Sequence, residues 1–518
     1  MTFTDASCGL SWPSTDSSHA QIVQVAPGLW QVGFDDAGAG CASSDHDFND
    51  LIVDISSQSI SAAESLGQGG SLQNDTHCRT GDPVDCATGN FTHTFSDLSV
   101  AGRGVPLALM RTYNSLAAST TGMFGYGWSC SYCMSLSLDS GGTATVTQGD
   151  GATSTFSPNG TGGFLTAPRV LGSLVANVGG THTLTVRGRL RYTFSSTGVL
   201  MSEADPNGYT TTLVYNGSGQ LTTVTDPAGR ALGFSYGTNG LVSSVTDPAS
   251  RVVSYGYDSG ANLTSVSDVG TGLTGFGYDA NHLVVTMSDP RSGGLVNTYD
   301  GSARVTKQVD PAGWTMLWSY GSGSTTITDP KGQVSVQTYT DGMLTKVIKG
   351  FGTPSAATWT YGYDQSLGVS SRTDPNVHTL RAGYDLNGNL TLVTDPLLRT
   401  TKSSYNGFGE PTSVTDANSV TTTSSYDGAG NLTSTSTPLL GSSPAQNKVT
   451  SYGHGDAVHP GDVTSVTDPD LHVSLYGYTT NGDLASASNA AAEKTTYGYN
   501  TIGWRTSMVT PAGQRDRR

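Results

Sequence analysis

Charged and helix-favouring residues are scarce in this sequence. Only 13% of the 518 residues are Asp, Glu, Lys or Arg. Glu and Lys are few while Gly, Ser and Thr are abundant, a composition of turns and strands rather than helices. No apolar run of about 18 residues occurs, so no transmembrane helix is expected. Met1 is not followed by a basic segment and an apolar core, so no signal peptide is visible. Lys and Arg number 25 against 41 Asp and Glu, a net charge of -16. Without clustered basic residues the chain is not built to grip nucleic-acid phosphates or an anionic membrane surface. Cysteine is absent after position 133; the six are Cys8, Cys41, Cys78, Cys86, Cys130 and Cys133. Cys130-Ser131-Tyr132-Cys133 has the spacing of a metal or redox pair. It lacks a second such pair and nearby paired histidines, which weighs against zinc. Isolated thiols, or one or two disulfides in a secreted protein, are the better reading. There is no HExxH, no GxSxG elbow at a strand-to-helix turn, no phosphate-cradling loop and no His–carboxylate motif, so the chain is expected not to be an enzyme.

What is present is a repeat. Tyr215, Tyr236, Tyr257, Tyr278, Tyr299 and Tyr320 stand 21 residues apart, as do Asp205, Asp226, Asp247, Asp268, Asp289 and Asp310. A period of that length marks an array of supersecondary units. In one unit Leu232, Phe234 and Tyr236 alternate as one face of a strand. A β-branched segment follows, and Asp226-Pro227-Ala228-Gly229 has the residues of a type I turn. The other connection, as in Asn216-Gly217-Ser218-Gly219, supplies residues that tolerate positive φ. Each unit therefore reads as two strands and two turns. Leu221 and Val224 are three apart where strict alternation wants an even number, which implies a bulge. With small insertions the array continues through Tyr384, Tyr405, Tyr426, Tyr478 and Tyr499, giving about 15 units. The recurring tyrosines read as structural, with stacking on sugars as the alternative.

Residues 1–58 form an acidic segment. Gln21–Val25, Trp30–Phe34 and Leu51–Ile55 read as strands. Between the last two lie Asp35, Asp36, Asp45, Asp47, Asn49 and Asp50, hard oxygen ligands at a spacing that suits calcium. An EF-hand is excluded, because its sixth position would be Asp50 rather than Gly and its twelfth Ser56 rather than Glu. The competing reading is an acidic, solvated turn that binds nothing. The segment resembles the Asp-rich end of a β-sandwich domain of bacterial surface proteins, through Gly33-Phe34-Asp35-Asp36 and Asp45–Asp50. Only the last strands of such a domain are present, so Met1 is expected not to be the natural start. Residues 59–80 are Gly, Ser and Gln rich and read as a linker.

From Gly81 the character changes. Gly81-Asp82-Pro83-Val84-Asp85-Cys86-Ala87-Thr88-Gly89, then Arg111-Thr112-Tyr113-Asn114-Ser115, then Gly125-Tyr126-Gly127-Trp128, resemble in order the domain that precedes the repeats of bacterial RHS/YD-repeat proteins. There an aliphatic residue usually stands at Cys86, which suggests a small buried side chain. Asp97 and Arg103 read as a pair, Trp128 as a buried anchor, and none of these residues as catalytic. Residues 81–200 are thus this leading module with β-hairpins, and 201–518 the repeats. Tyr384-Asp385-Leu386-Asn387-Gly388-Asn389-Leu390 and Tyr426-Asp427-Gly428-Ala429-Gly430-Asn431-Leu432 carry the YD signature itself.

The resemblance implies an all-β fold of antiparallel hairpin repeats winding into a spiral β-shell. In that family, which includes insecticidal toxin C components and teneurins, the shell encloses a C-terminal effector or serves adhesion. The expected partners are therefore an enclosed effector, or a surface glycan or protein, at an extracellular or cell-surface location. No core region or effector follows the repeats before Arg518, so a fragment is expected.

Overall fold

The computed structural model describes residues 79–518 except 82, 161, 167–169, 290–292, 365–366, 440, 442–445, 513–514 and 518. Of the first 78 residues it describes the backbone of five strands: Thr2–Thr4, Ser11–Pro13, Ala20–Ala26, Leu29–Phe34 and Val53–Ser56. The chain falls into two compact units, Met1–Gln58 and Ser59–Arg518. In the first, Ala20–Ala26, Leu29–Phe34 and Val53–Ser56 form an antiparallel three-stranded sheet, close to the strands expected there.

The second unit is dominated by one antiparallel sheet. Among the described residues it has 33 strands in strict sequence order, from Gly172–Ala176 to Arg515–Arg517. It begins before the first 21-residue unit and runs through all of them. The period follows from the local geometry. A six-residue strand, Ala231–Tyr236, is followed by turn 237–241, a five-residue strand, Val242–Thr246, and turn 247–251. Both turns are of one kind. In each, the first residue's carbonyl accepts from the fourth N–H, as in Gly229 to Asp226 (3.0 Å) and Gly219 to Asn216 (2.9 Å), and the fourth residue has positive φ.

The first turn residue explains the recurring Asp and Asn. Asp226 Oδ1 accepts the backbone N–H groups of Ala228 (3.0 Å) and Arg230 (2.8 Å), closing the turn from inside. An Arg at the fifth turn position completes it: Arg230, Arg251, Arg304 and Arg399 each pair with the Asp four residues earlier. The tyrosine has a different task. Tyr236 donates its hydroxyl to the Leu221 carbonyl (2.8 Å), and Tyr215, Tyr257, Tyr278, Tyr299 and Tyr320 repeat this bond 15 residues back. That carbonyl lies beside the implied bulge. Val214 pairs with Thr223 and Tyr215 with Leu221, leaving Thr222 as the extra residue, its hydroxyl donated to the Val214 carbonyl (3.0 Å). The bulge gives strands of unequal length the same facing residues.

Gly229 sits at φ 80°, and a Cβ there would meet nothing within 4 Å. A clash with neighbouring atoms is therefore not the obstacle to a side chain there; backbone strain is. Ser250, Thr271 and Leu398 hold the same conformation in sister turns. Gly229→Val is expected to destabilise by about 1–2 kcal/mol, read as a lowered denaturation midpoint.

The leading module packs on one face of this sheet. Its strands Thr92–Val100, Leu107–Asn114 and Trp128–Cys130 form one sheet, and Ser135–Leu138 to Phe164–Thr166 a four-stranded second. Leu107, Leu109, Phe91, Phe124 and Trp128 share a single core with Leu232, Phe234, Val245, Val253 and Tyr255 of the repeats. Backbone bonds fasten the two, from Val242 N–H to the Met123 carbonyl (3.0 Å) and from Val305 N–H to that of Gly89 (2.9 Å). Gly125 is needed at φ 92°, because a Cβ would lie 2.4 Å from the Ala261 carbonyl oxygen.

The sheet winds past itself. Arg187 bonds Asn389, Arg189 bonds Glu410 (3.2 Å), and Asn207 bonds Asn431 (3.0 Å), over separations of 202, 221 and 224 residues. The order of contacts is preserved along both passes, which is the property of a spiral.

Candidate functional site

The junction of leading module and repeats holds the most constrained chemistry. Strand Leu107–Asn114 turns Leu107, Leu109, Arg111 and Tyr113 to the core on one face, so Arg111 enters the core rather than solvent; it is 1% exposed. Its Nη2 donates to Asp97 Oδ1 (2.9 Å) and its Nε to Oδ2, which also accepts from the Tyr255 hydroxyl (2.7 Å). The guanidinium carbon lies 4.8 Å from the Trp128 ring centre and 5.3 to 5.8 Å from those of Tyr255, Phe95 and Phe124. Burial alone would lower the pKa of Arg111, and Asp97 more than reverses this. The arrangement is an ion pair inside an aromatic cage. It corrects the pairing expected from sequence: Asp97 belongs to Arg111. Arg103 instead reaches the late repeats, with Nη2 on Asp462 (2.8 Å).

Trp128 is the anchor its glycine neighbours implied. It is 4% exposed and donates Nε1–H to the Tyr278 hydroxyl (3.0 Å). Tyr113 donates to the His282 carbonyl and accepts from Val284 N–H, both at 3.0 Å. Cys130 and Cys133 are joined in a disulfide, and Cys86, fully buried, is also disulfide-bonded.

Glu203, on strand Leu200–Ala204, faces this core at 5% exposure. Desolvation pushes its carboxyl up to about 7. Because the folded value lies above the ordinary 4.5, the neutral acid's stability is fully present below about pH 4.5. It is lost as pH rises through about 7, by about 3 kcal/mol in all. Glu203→Gln is expected to raise the unfolding midpoint above pH 8 and to leave it nearly unchanged near pH 4.5. A difference between wild type and variant that does not depend on pH counts against this.

The six candidate calcium ligands, Asp35, Asp36, Asp45, Asp47, Asn49 and Asp50, lie outside the described residues. Sequence reading missed two other groups close enough to share a cation: Asp456, His459 and Asp462, and Asp468, Asp470 and His472. In both, a ring nitrogen already meets an aspartate, His459 with Asp456 (2.9 Å) and His472 with Asp468 (3.1 Å). His378 meets Asp374 in the same way. These are His–carboxylate pairs after all. His378 and His472 owe theirs to the repeat turn rather than to a catalytic motif, because His takes the place of Arg at its fifth position. A cavity of about 370 Å³ lies where turn 500–504 meets the leading module, and Asp97, Arg251 and Trp504 line it. Its charges are engaged, Asp97 by Arg111 and Arg251 by Asp247.

Among the described residues no helix is long and apolar enough to cross a membrane. RHS Repeat models match residues 194–231, 236–272, 384–418 and 405–439, and residues 81–156 match a domain of unknown function, DUF6531. The chain is an RHS/YD-repeat protein. None of the curated proteins matches it. Among solved structures, the TcdB2-TccC3 complex is similar at 14% identity, covering 94% of this chain and 30% of that chain, with TM-score 0.40. TcdB2-TccC3-Cdc42 gives 14%, 83%, 27% and 0.41, and the Photorhabdus luminescens Tc holotoxin pore 13%, 87%, 27% and 0.40. The chain thus spans less than a third of their length, and its winding rests on its own contacts.

Proposed function

We propose that the chain is the non-catalytic scaffold of a secreted or surface-delivered bacterial RHS-type protein, and that its wound sheet encloses a C-terminal effector. One observation carries this reading. The sheet face that the leading module covers in the early repeats is bare in the later ones. Leu232 and Val245 are fully buried, whereas Leu380 and Val414 at the same repeat positions are 36% and 38% exposed. Where the early strands carry Leu232 and Phe234, later ones carry Thr401 and Ser403, then Thr422 and Ser424. A face of small, partly polar side chains is suited to surround a guest without fusing with its core. The test is protease protection of whatever domain the gene encodes after the repeats. Joined to this chain it should resist a protease that degrades it alone. A domain cut equally fast in both settings contradicts enclosure.

The second reading, a surface adhesion module, draws on the turn tips. Val377, Leu398 and Leu471 hold positive φ, 62° to 68°, yet are about 80% exposed, and strained, solvent-facing apolar residues often mark contact sites. Binding to glycan or cell surfaces that survives Val377→Gly, Leu398→Gly and Leu471→Gly together would remove that support.

A further inference from the structure

We propose that the line where the two passes of the sheet meet is a gate, held shut by a polar latch with Arg103 at its centre. This rests on the enclosure reading, for which it supplies the way in or out.

The two kinds of junction in the sheet differ in character. Between consecutive strands the backbone ladder is continuous from Gly172 to Arg517. Between the passes no backbone N–H to carbonyl bond crosses among the described residues. What crosses is side chains. Asn207 and Asn431 exchange amide bonds at 3.0 and 2.8 Å. Arg189 donates to Glu410 (3.2 Å) and to the Gly428 carbonyl (2.7 Å). The apolar core stops short of this line as well: of the described residues after Ile327, only Ile502 belongs to it. A junction made of charges and amides separates without breaking a strand ladder or opening a core, so it is the first to yield.

Arg103 spends its donors on this line. Nε and Nη2 bond Asp462 (3.0 and 2.8 Å), Nη1 the Thr480 carbonyl (2.6 Å), and Nη2 also the Thr479 carbonyl (2.8 Å). The pair is nearly buried, with side chains 7% and 10% exposed. The loop that carries it is tied to the first pass too, because Arg230 Nη2 donates to the Ala101 carbonyl (2.6 Å). One loop of the leading module therefore clamps an early turn and two late ones. A fork that satisfies one carboxylate and two carbonyls is chemistry that Lys cannot reproduce.

The test is hydrogen exchange on the full chain. Arg103→Ala should accelerate exchange about tenfold or more in turns 205–209, 456–462 and 479–483, while strands 231–299 keep wild-type protection. Arg103→Lys should fall between the two. In the wild type, raising salt from about 0.1 to about 1 M should accelerate the same turns. An Asn207→Cys, Asn431→Cys variant should form a disulfide across the line and, once oxidised, lose the salt response, which reduction restores. Wild-type exchange in Arg103→Ala overturns the proposal. So does acceleration spread evenly over turns and strands, or failure of the two cysteines to link under oxidation. Enclosure is read separately, by protease protection, so the two can fail independently.

Discussion

Replacing Arg111 by Ala is expected to weaken the second unit by about 3–5 kcal/mol, because it leaves the Asp97 carboxylate buried with one hydroxyl for company. Asp97 has a side-chain exposure of 4%. The loss should be felt first where the leading module meets the repeats, since the same cage contains Trp128 and Phe95. Their rings meet Phe276 at 5.1 and 5.5 Å. Truncation also empties the volume between four aromatic rings, and a cavity there adds to the electrostatic loss. Two variants separate these contributions. Asp97→Asn alone should be severe, because it strands the guanidinium. Arg111→Met with Asp97→Asn removes both charges and keeps the volume, so it should be milder than either single change to one partner. Denaturation followed by the fluorescence of the seven tryptophans reads all three. A double variant as unstable as Arg111→Ala would mean that the cage depends on the cation–ring contacts rather than on the charge balance.

The second large effect is expected at Tyr257. Its hydroxyl donates to the Val242 carbonyl at 2.8 Å and its ring packs, half-buried, against the core. Tyr257→Ala should cost about 3 kcal/mol, combining a cavity with an unpaired carbonyl. Tyr257→Phe keeps the ring and should cost only about 1 kcal/mol. In an array each unit leans mainly on its neighbours, so lost hydrogen-exchange protection should centre on strands 231–278. Here the leading module alters the usual expectation. It spans several units at once, so damage at Tyr257 should also loosen residues 123–128, which no repeat adjoins in sequence. Exchange confined to the two neighbouring repeats would show that the module contributes little to their cooperativity.

The 21-residue step, the alternating face and the need for a bulge were all legible, because each is a local consequence of spacing. The tyrosines read as structural, and Tyr236 shows how: its hydroxyl caps the carbonyl beside the bulge. Turn chemistry was legible only in part. Asp226-Pro227-Ala228-Gly229 announced itself, but Ser250, Leu398 and Leu471 adopt the same turn without glycine, since Asp at the first position and the strand pairing outweigh the strain. Asp97 was assigned to the wrong arginine for a physical reason. A bulge between Ser96 and Leu98 shifts the register at Asp97, and nothing in the local sequence marks it. The contacts of Arg103 and Asn207 join residues more than 200 positions apart, beyond any pattern of spacing. The bare face of the later repeats was there to be read, in Thr401, Ser403, Thr422 and Ser424 standing where Leu and Phe had been.

Enclosure requires one sheet with one face, capped early and open late. Single cysteines at matched repeat positions measure this directly: Leu232→Cys and Val245→Cys in the early repeats, Leu380→Cys and Val414→Cys in the later ones. Each is exposed to a small water-soluble maleimide in the native state, with the parent chain as background. Leu380→Cys and Val414→Cys are expected to label at close to the rate of a free thiol, and Leu232→Cys and Val245→Cys only as fast as the chain unfolds. Equal protection at all four positions would contradict a face that opens along the array, as would labelling of the early pair at the rate of the late one.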